Sequence, residues 1–172
     1  NGPCHPIRLA IIASWWMLRE IEVANLSVAC ASFSDNEAQL LLPMSKADQS
    51  GRGPARKLSC ICAGTVLQLC PFHSLQAQAE WATGQAALMH RPADMFPLFP
   101  TGTGVAPLKT HTSEVACSIA TCLHLPLHGP TGAAKYTGHT FRATGATHMA
   151  AAGIERWRIQ LHGRWGSSTV LR

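Results

Sequence analysis

The sequence predicts an α+β fold, mostly helical, with one small antiparallel sheet. Three observations lead there. Apolar residues recur at helical spacing in several separate stretches, and two short apolar runs, 37–43 and 57–63, flank a turn-rich loop. The composition, 47% apolar and 13% charged over 172 residues, is that of a globular chain rather than a disordered one. That length suits one domain with a sizeable core.

Residues 7 to 19 read as a helix, because Ile7, Ile11, Trp15 and Leu18 recur at helical spacing and Pro6 sits where a first turn tolerates it. Arg19 and Glu22 follow, three apart, the spacing of an ordinary surface ion pair. The strands 37–43 and 57–63 enclose the loop 44–54, which is rich in Gly, Ser and Pro. A helix over 74–90 carries Leu75, Ala79, Ala82 and Ala86, with Trp81 as a packing anchor. Residues 91–104 hold too many prolines and glycines for regular structure, and Gly102-Thr-Gly104 lacks the remainder of a phosphate loop. Residues 109–125 read as a helix with Val115, Ile119 and Cys122 inward, closed by Pro126. A further helix begins near Gly138 and ends at Gly153, where glycine fits the left-handed position of a helix end; a second segment ends at Gly163.

Within this last pair, His139 and Arg142 lie three apart on one helical face, and an imidazole beside a guanidinium suits a phosphate. The form Gly138-His-Thr-Phe-Arg-Ala-Thr-Gly-Ala146, with a later Gly163-Arg-Trp-Gly-Ser167, resembles the tyrosine recombinase (phage-integrase) family, most of all the recombinases of eukaryotic mobile elements. Arg19-x-x-Glu22-x-x-x-Leu26 resembles the first conserved box of the same family, and Phe99-Pro-Thr101 the entry to its last helices.

The resemblance implies the catalytic-domain fold of these enzymes and a reaction on double-stranded DNA without cofactor or metal. A tyrosine attacks the scissile phosphate, forming a 3′-phosphotyrosine and a free 5′-hydroxyl, and a second strand reverses the step. It implies catalytic roles for five residues. Arg19 and Arg142 grip the phosphate, Lys46 at the hairpin mouth is the general acid with Lys57 as a rival, and His139 assists proton transfer. Trp165 donates through its indole N–H, with Arg164 or His162 as alternatives for that place. Arg156, Arg158 and Arg164 suit backbone phosphates of the duplex. The only tyrosine is Tyr136, upstream of the box. The expectation is therefore a partial catalytic domain over 1–172, without the DNA-clamping domain and the nucleophile with its tail, unable to cleave DNA by itself. Self-assembly on DNA is expected of a full-length protein, and a nuclear location follows from a chromosomal target.

Charge placement agrees with a polyanionic partner. From Lys135 onward six basic residues face one acid, whereas the first 134 residues hold eight of each, so the net charge of +5 lies wholly in the stretch carrying the box. No apolar run is long enough to cross a membrane. Seven cysteines, with no secretory pattern, read as reduced thiols. Cys60, Cys62, Cys70 and His73 form a candidate zinc set, although the spacing is irregular and two cysteines on one strand face equally suit core packing. A catalytically dead DNA-binding relative and a zinc-stabilised interaction domain are the alternative functions.

Overall fold

In the computed structural model, which describes residues 2–42 and 55–165, helix α1 (Pro6–Trp15) is the element against which three later helices pack. Its sequence is apolar on nearly every side, so spacing alone does not choose the buried face. Leu9, Ile12, Ala13 and Trp16 are fully buried, while Ile7 is 58% exposed and Ile11 and Trp15 are half-buried. Of the four residues whose spacing predicts the helix, only Leu18, just past its end, is fully buried, so the buried face is rotated from the line of Ile7, Ile11 and Trp15.

The helix also stops earlier than residue 19. Met17 takes the left-handed conformation (φ 49°), and the amides of Met17 and Leu18 turn back to the carbonyls of Ser14 (3.1 Å) and Ala13 (2.9 Å). That paired return is a Schellman closure. Arg19 consequently lies outside α1 and begins α2 (Glu20–Asn25), where its main-chain N–H donates to Glu22 Oε2 at 2.8 Å.

After a short 3₁₀ turn come β1 (Ala31–Ser34), β2 (Glu37–Leu41) and β3 (Ala55–Ser59), an antiparallel sheet in the order β1-β2-β3. β1 has no apolar alternation and was not expected. β3 starts two residues before the predicted run and stops short of Cys60. Ala38 and Leu40 of β2 face the core, and on β3 the inward positions are Arg56 and Leu58, with Arg56 paired opposite Leu40.

Helix α3 (Pro71–Leu88) starts three residues earlier than predicted, with Pro71 in its first turn, and buries Leu75, Ala79, Ala82 and Ala86 as expected. Trp81 packs against His5 with the rings tilted by 52° and their centres 4.2 Å apart. The connection that follows has no helix or strand of its own, yet Phe96, Leu98 and Phe99 are fully buried, and Leu98 N–H donates to the carbonyl of Leu26 (2.9 Å). Helix α4 (Lys109–Cys122) buries Val115; Ile119 is half-buried and Cys122 is exposed, which corrects its inward assignment.

Helix α5 (Thr140–Ala151) lies on α1 through Gly145, where any Cβ would collide with the carbonyl of Ser14 and press Met17 Cγ at 3.0 Å. Gly153 (φ 77°) closes α5, with Ile154 N–H returning to Met149, and α6 (Arg156–Gly163) follows. Among the described residues no helix is long and apolar enough to cross a membrane.

Candidate active site

The Schellman turn leaves three consecutive carbonyls, Trp15, Trp16 and Met17, at the C-terminal end of α1. Each is taken by a basic side chain from a distant part of the chain. His162 Nε2 donates to Trp15 (2.8 Å), Arg56 Nη1 to Trp16, and Arg142 Nη1 to Met17 (3.1 Å). The end of a helix carries partial negative charge, so this is where cations are best tolerated. Arg142 also donates through Nη2 to the carbonyl of Gly163, and its guanidinium lies 5.2 Å from the Trp165 ring centre.

Arg164 stands in the left-handed position after α6 (φ 54°), which turns its side chain inward to pair with Glu22. Glu22 is 1% exposed and so serves two partners, the Arg164 guanidinium and the Arg19 main-chain N–H. Arg19 completes the group. Burial, and then the charge of Arg19, lower the pKa of Arg142 to about 10 and also depress that of Arg164. Burial, then Arg142, then Arg19 lower Arg56 to about 9. Arg56 and Arg142 therefore remain cationic at neutral pH. Four arginines thus lie near the end of α1, of which only Arg164 pairs with the buried Glu22 carboxylate, and Arg56 Nη2 and Arg164 Nε are buried without a hydrogen-bond partner among the described residues. Desolvated cationic N–H groups left without an acceptor favour an anion.

The residues expected from sequence fall as follows. Arg19 and Arg142 come together although 123 positions separate their places in the chain. His139 caps the start of α5 and is exposed; Gly138 beside it is packed against Glu20, so the N-termini of α2 and α5 adjoin. Lys46 lies outside the described residues. Lys57, its rival, points to the other face of β3 and pairs with Glu37 at 2.8 Å on the surface. Of the three alternatives at the end of α6, Trp165 faces Arg142, Arg164 faces Glu22 and His162 holds the α1 terminus. Arg164 is therefore turned inward, unlike the exposed Arg156 and Arg158. Arg158 pairs with Glu155 (3.3 Å) and lies over Trp157. The surface ion pair between Arg19 and Glu22 does not form; Glu22 is buried and paired elsewhere. Arg56 was missed. Strand alternation would have placed it inward once β3 was known to begin at Ala55.

Comparison with solved structures sets this arrangement in context. Over 95% of the chain, the backbone matches the XerH site-specific recombinase bound to difH substrate, with a TM-score of 0.68 and 16% identity. It matches the Tn1549 transposon integrase in complex with circular intermediate DNA over 95% of the chain, with a TM-score of 0.56 and 16% identity. The fold is that of a tyrosine recombinase catalytic domain. The chain spans 40% of the length of the XerH chain and 51% of the integrase chain. No family model matches the sequence, and no curated protein sequence does.

In this recombinase fold His162 is a pH-dependent brace. Burial lowers its pKa below 6.5; the bond to Trp15 works the other way, and Arg56 and Arg142 lower it further. Because the unfolded chain takes up the proton at higher pH than the folded one, stability is full above the ordinary imidazole range and falls as pH drops through it. The thermal midpoint is expected to decline between about pH 7 and 5. His162→Gln flattens that decline in the same melting series.

Proposed function

We propose that this chain is the catalytic domain of a DNA strand-exchange enzyme and that its guanidinium cluster holds the scissile phosphodiester. The observation that carries this is the convergence of Arg19, Arg56, Arg142 and Arg164 at the end of α1, with buried N–H groups to spare, in a fold shared with recombinases crystallised on DNA. A pentacoordinate phosphate gathers negative charge on its non-bridging oxygens, and rigid guanidinium donors match it at several points.

In this mechanism a tyrosine hydroxyl attacks phosphorus in line. The bond to the 5′-oxygen breaks, that oxygen takes a proton, and a 3′-phosphotyrosine remains until another strand's 5′-hydroxyl displaces it. Arg19 and Arg142 stabilise the charge. Lys46 is proposed as the acid and His139 as the proton-transfer partner of the attacking hydroxyl. Arg156 and Arg158 contact duplex phosphates outside the site. Tyr136, the sole tyrosine, is half-buried against the main core, so the nucleophile is proposed to come from outside these 172 residues. DNA-directed self-assembly and action in the nucleus are proposed for the whole protein.

The chain is expected to bind mixed-sequence duplex in a salt-sensitive way and to form no adduct that survives denaturing electrophoresis on a nicked substrate. An adduct abolished by Tyr136→Phe would overturn the placing of the nucleophile. Absence of duplex binding even at low salt would overturn the function.

Arg56→Met removes a buried cation and its bond to the Trp16 carbonyl together. Leaving that carbonyl without its donor is expected to cost about 1–3 kcal/mol of stability. Duplex affinity is expected to fall in the same variant, and urea titration beside fluorescence anisotropy measures both.

A further inference from the structure

Cys60, Cys62, Cys70 and His73 take no part in the site just described, yet the fold brings them together. Cys60 follows β3 directly, Cys62 stands two residues on, Cys70 caps α3, and His73 lies in the first turn of that helix. Their four ligand atoms lie within 4.8 Å of one another. Cys60 and Cys70 place their sulfurs 3.7 Å apart, and His73 Nδ1 lies 3.7 Å from Cys60 Sγ and 3.5 Å from Cys62 Sγ.

These separations fit a metal better than they fit any direct bond. A disulfide needs sulfurs about 2.05 Å apart. Tetrahedral zinc, with Zn–S near 2.3 Å and Zn–N near 2.05 Å, requires S···S edges of about 3.8 Å and S···N edges of about 3.6 Å. The three pairs quoted above match. Two main-chain amides also point at sulfur, Cys62 N–H at Cys60 Sγ (3.4 Å) and Leu67 N–H at Cys62 Sγ (3.1 Å). Such donors stabilise thiolates and orient them as ligands. The imidazole presents Nδ1 to the sulfurs, which leaves Nε2 to carry its proton.

We propose that these four residues bind one zinc ion as a closed structural site. Binding converts three thiols to thiolates and releases three protons, leaving a Cys₃His complex of net charge −1 with no open position for substrate. Its role is to staple the exit of β3 to the start of α3. Cys60 N–H continues the strand by donating to the Asn36 carbonyl (2.7 Å), and the enclosed loop 63–69 reaches α1, where Trp15 Nε1 donates to the Leu69 carbonyl (2.7 Å). The staple therefore holds the strand carrying Arg56 and the helix end whose carbonyls receive Arg56 and Arg142. It stands independently of the DNA reading, since the ligand set needs no phosphate site.

The test is metal analysis of the reduced 172-residue chain, followed by replacement of zinc with cobalt. One zinc per chain is expected, with cobalt giving a thiolate charge-transfer band and visible bands of tetrahedral intensity. Cys62→Ser reduces the zinc to background and lowers the thermal midpoint, whereas Cys117→Ser/Cys122→Ser, away from the cluster, keeps full stoichiometry. Should Cys62→Ser fail to fold, His73→Cys serves instead: it is expected to keep the metal and to intensify the thiolate band. A folded chain with neither zinc nor a cobalt spectrum overturns the site. So does a chain whose melting is unchanged by a chelator that strips its metal, or an His73→Cys variant whose cobalt spectrum matches the parent.

Discussion

If the proposed phosphate site is right, Arg142→Ala is expected to weaken duplex binding by roughly 30- to 1000-fold, about 2–4 kcal/mol, because it removes a buried cation proposed to hold the phosphate. The same guanidinium bridges the carbonyls of Met17 and Gly163 and faces Trp165, so the variant also loses stability. Arg142→Lys discriminates between charge and shape. An ammonium keeps the charge but cannot span two carbonyls and an anion with one planar fork, so most of the affinity is still lost. Fluorescence anisotropy at fixed salt measures the affinity, with far-ultraviolet circular dichroism to establish folding.

Glu22→Ala is expected to cost about 3–5 kcal/mol of stability, the scale for breaking a buried ion pair by deleting one partner. The Arg164 guanidinium then has no counter-charge beside Arg19, and the Arg19 main-chain N–H loses its acceptor at the start of α2. Glu22→Gln retains an acceptor for that N–H and should cost less. Urea unfolding is the check, with the midpoint falling and the slope unchanged.

The parts of the site legible in the sequence were those fixed by short spacing. Arg142 sits four residues after Gly138 in a helix whose start and glycine closure are local features, and Arg19-x-x-Glu22 is likewise local. Their convergence was expected only through resemblance, because it depends on a left-handed turn at Met17 that no turn residue announces. Arg56 was invisible for a related reason: whether an arginine in a strand faces in or out depends on a register, and a shift of one residue reverses it. Glu22 could not be recognised as a buried hub, since its partner Arg164 lies 142 positions away and is turned inward by a left-handed residue that is not glycine. The buried face of α1 was not legible because nearly every face of that helix is apolar. The buried Phe96, Leu98 and Phe99 stand in a segment whose prolines identify it as irregular but carry no information on burial.

Arg19 offers the most direct test that the cluster holds a DNA phosphate. What Arg19 lends to α2 is its main-chain N–H, so Arg19→Ala removes the charge and keeps the cap. Duplex affinity measured across a salt series should fall in this variant, with the slope of log affinity against log salt shallower by about 1 and the thermal midpoint unchanged or higher. Parental affinity and parental slope in a folded Arg19→Ala protein would contradict the central claim.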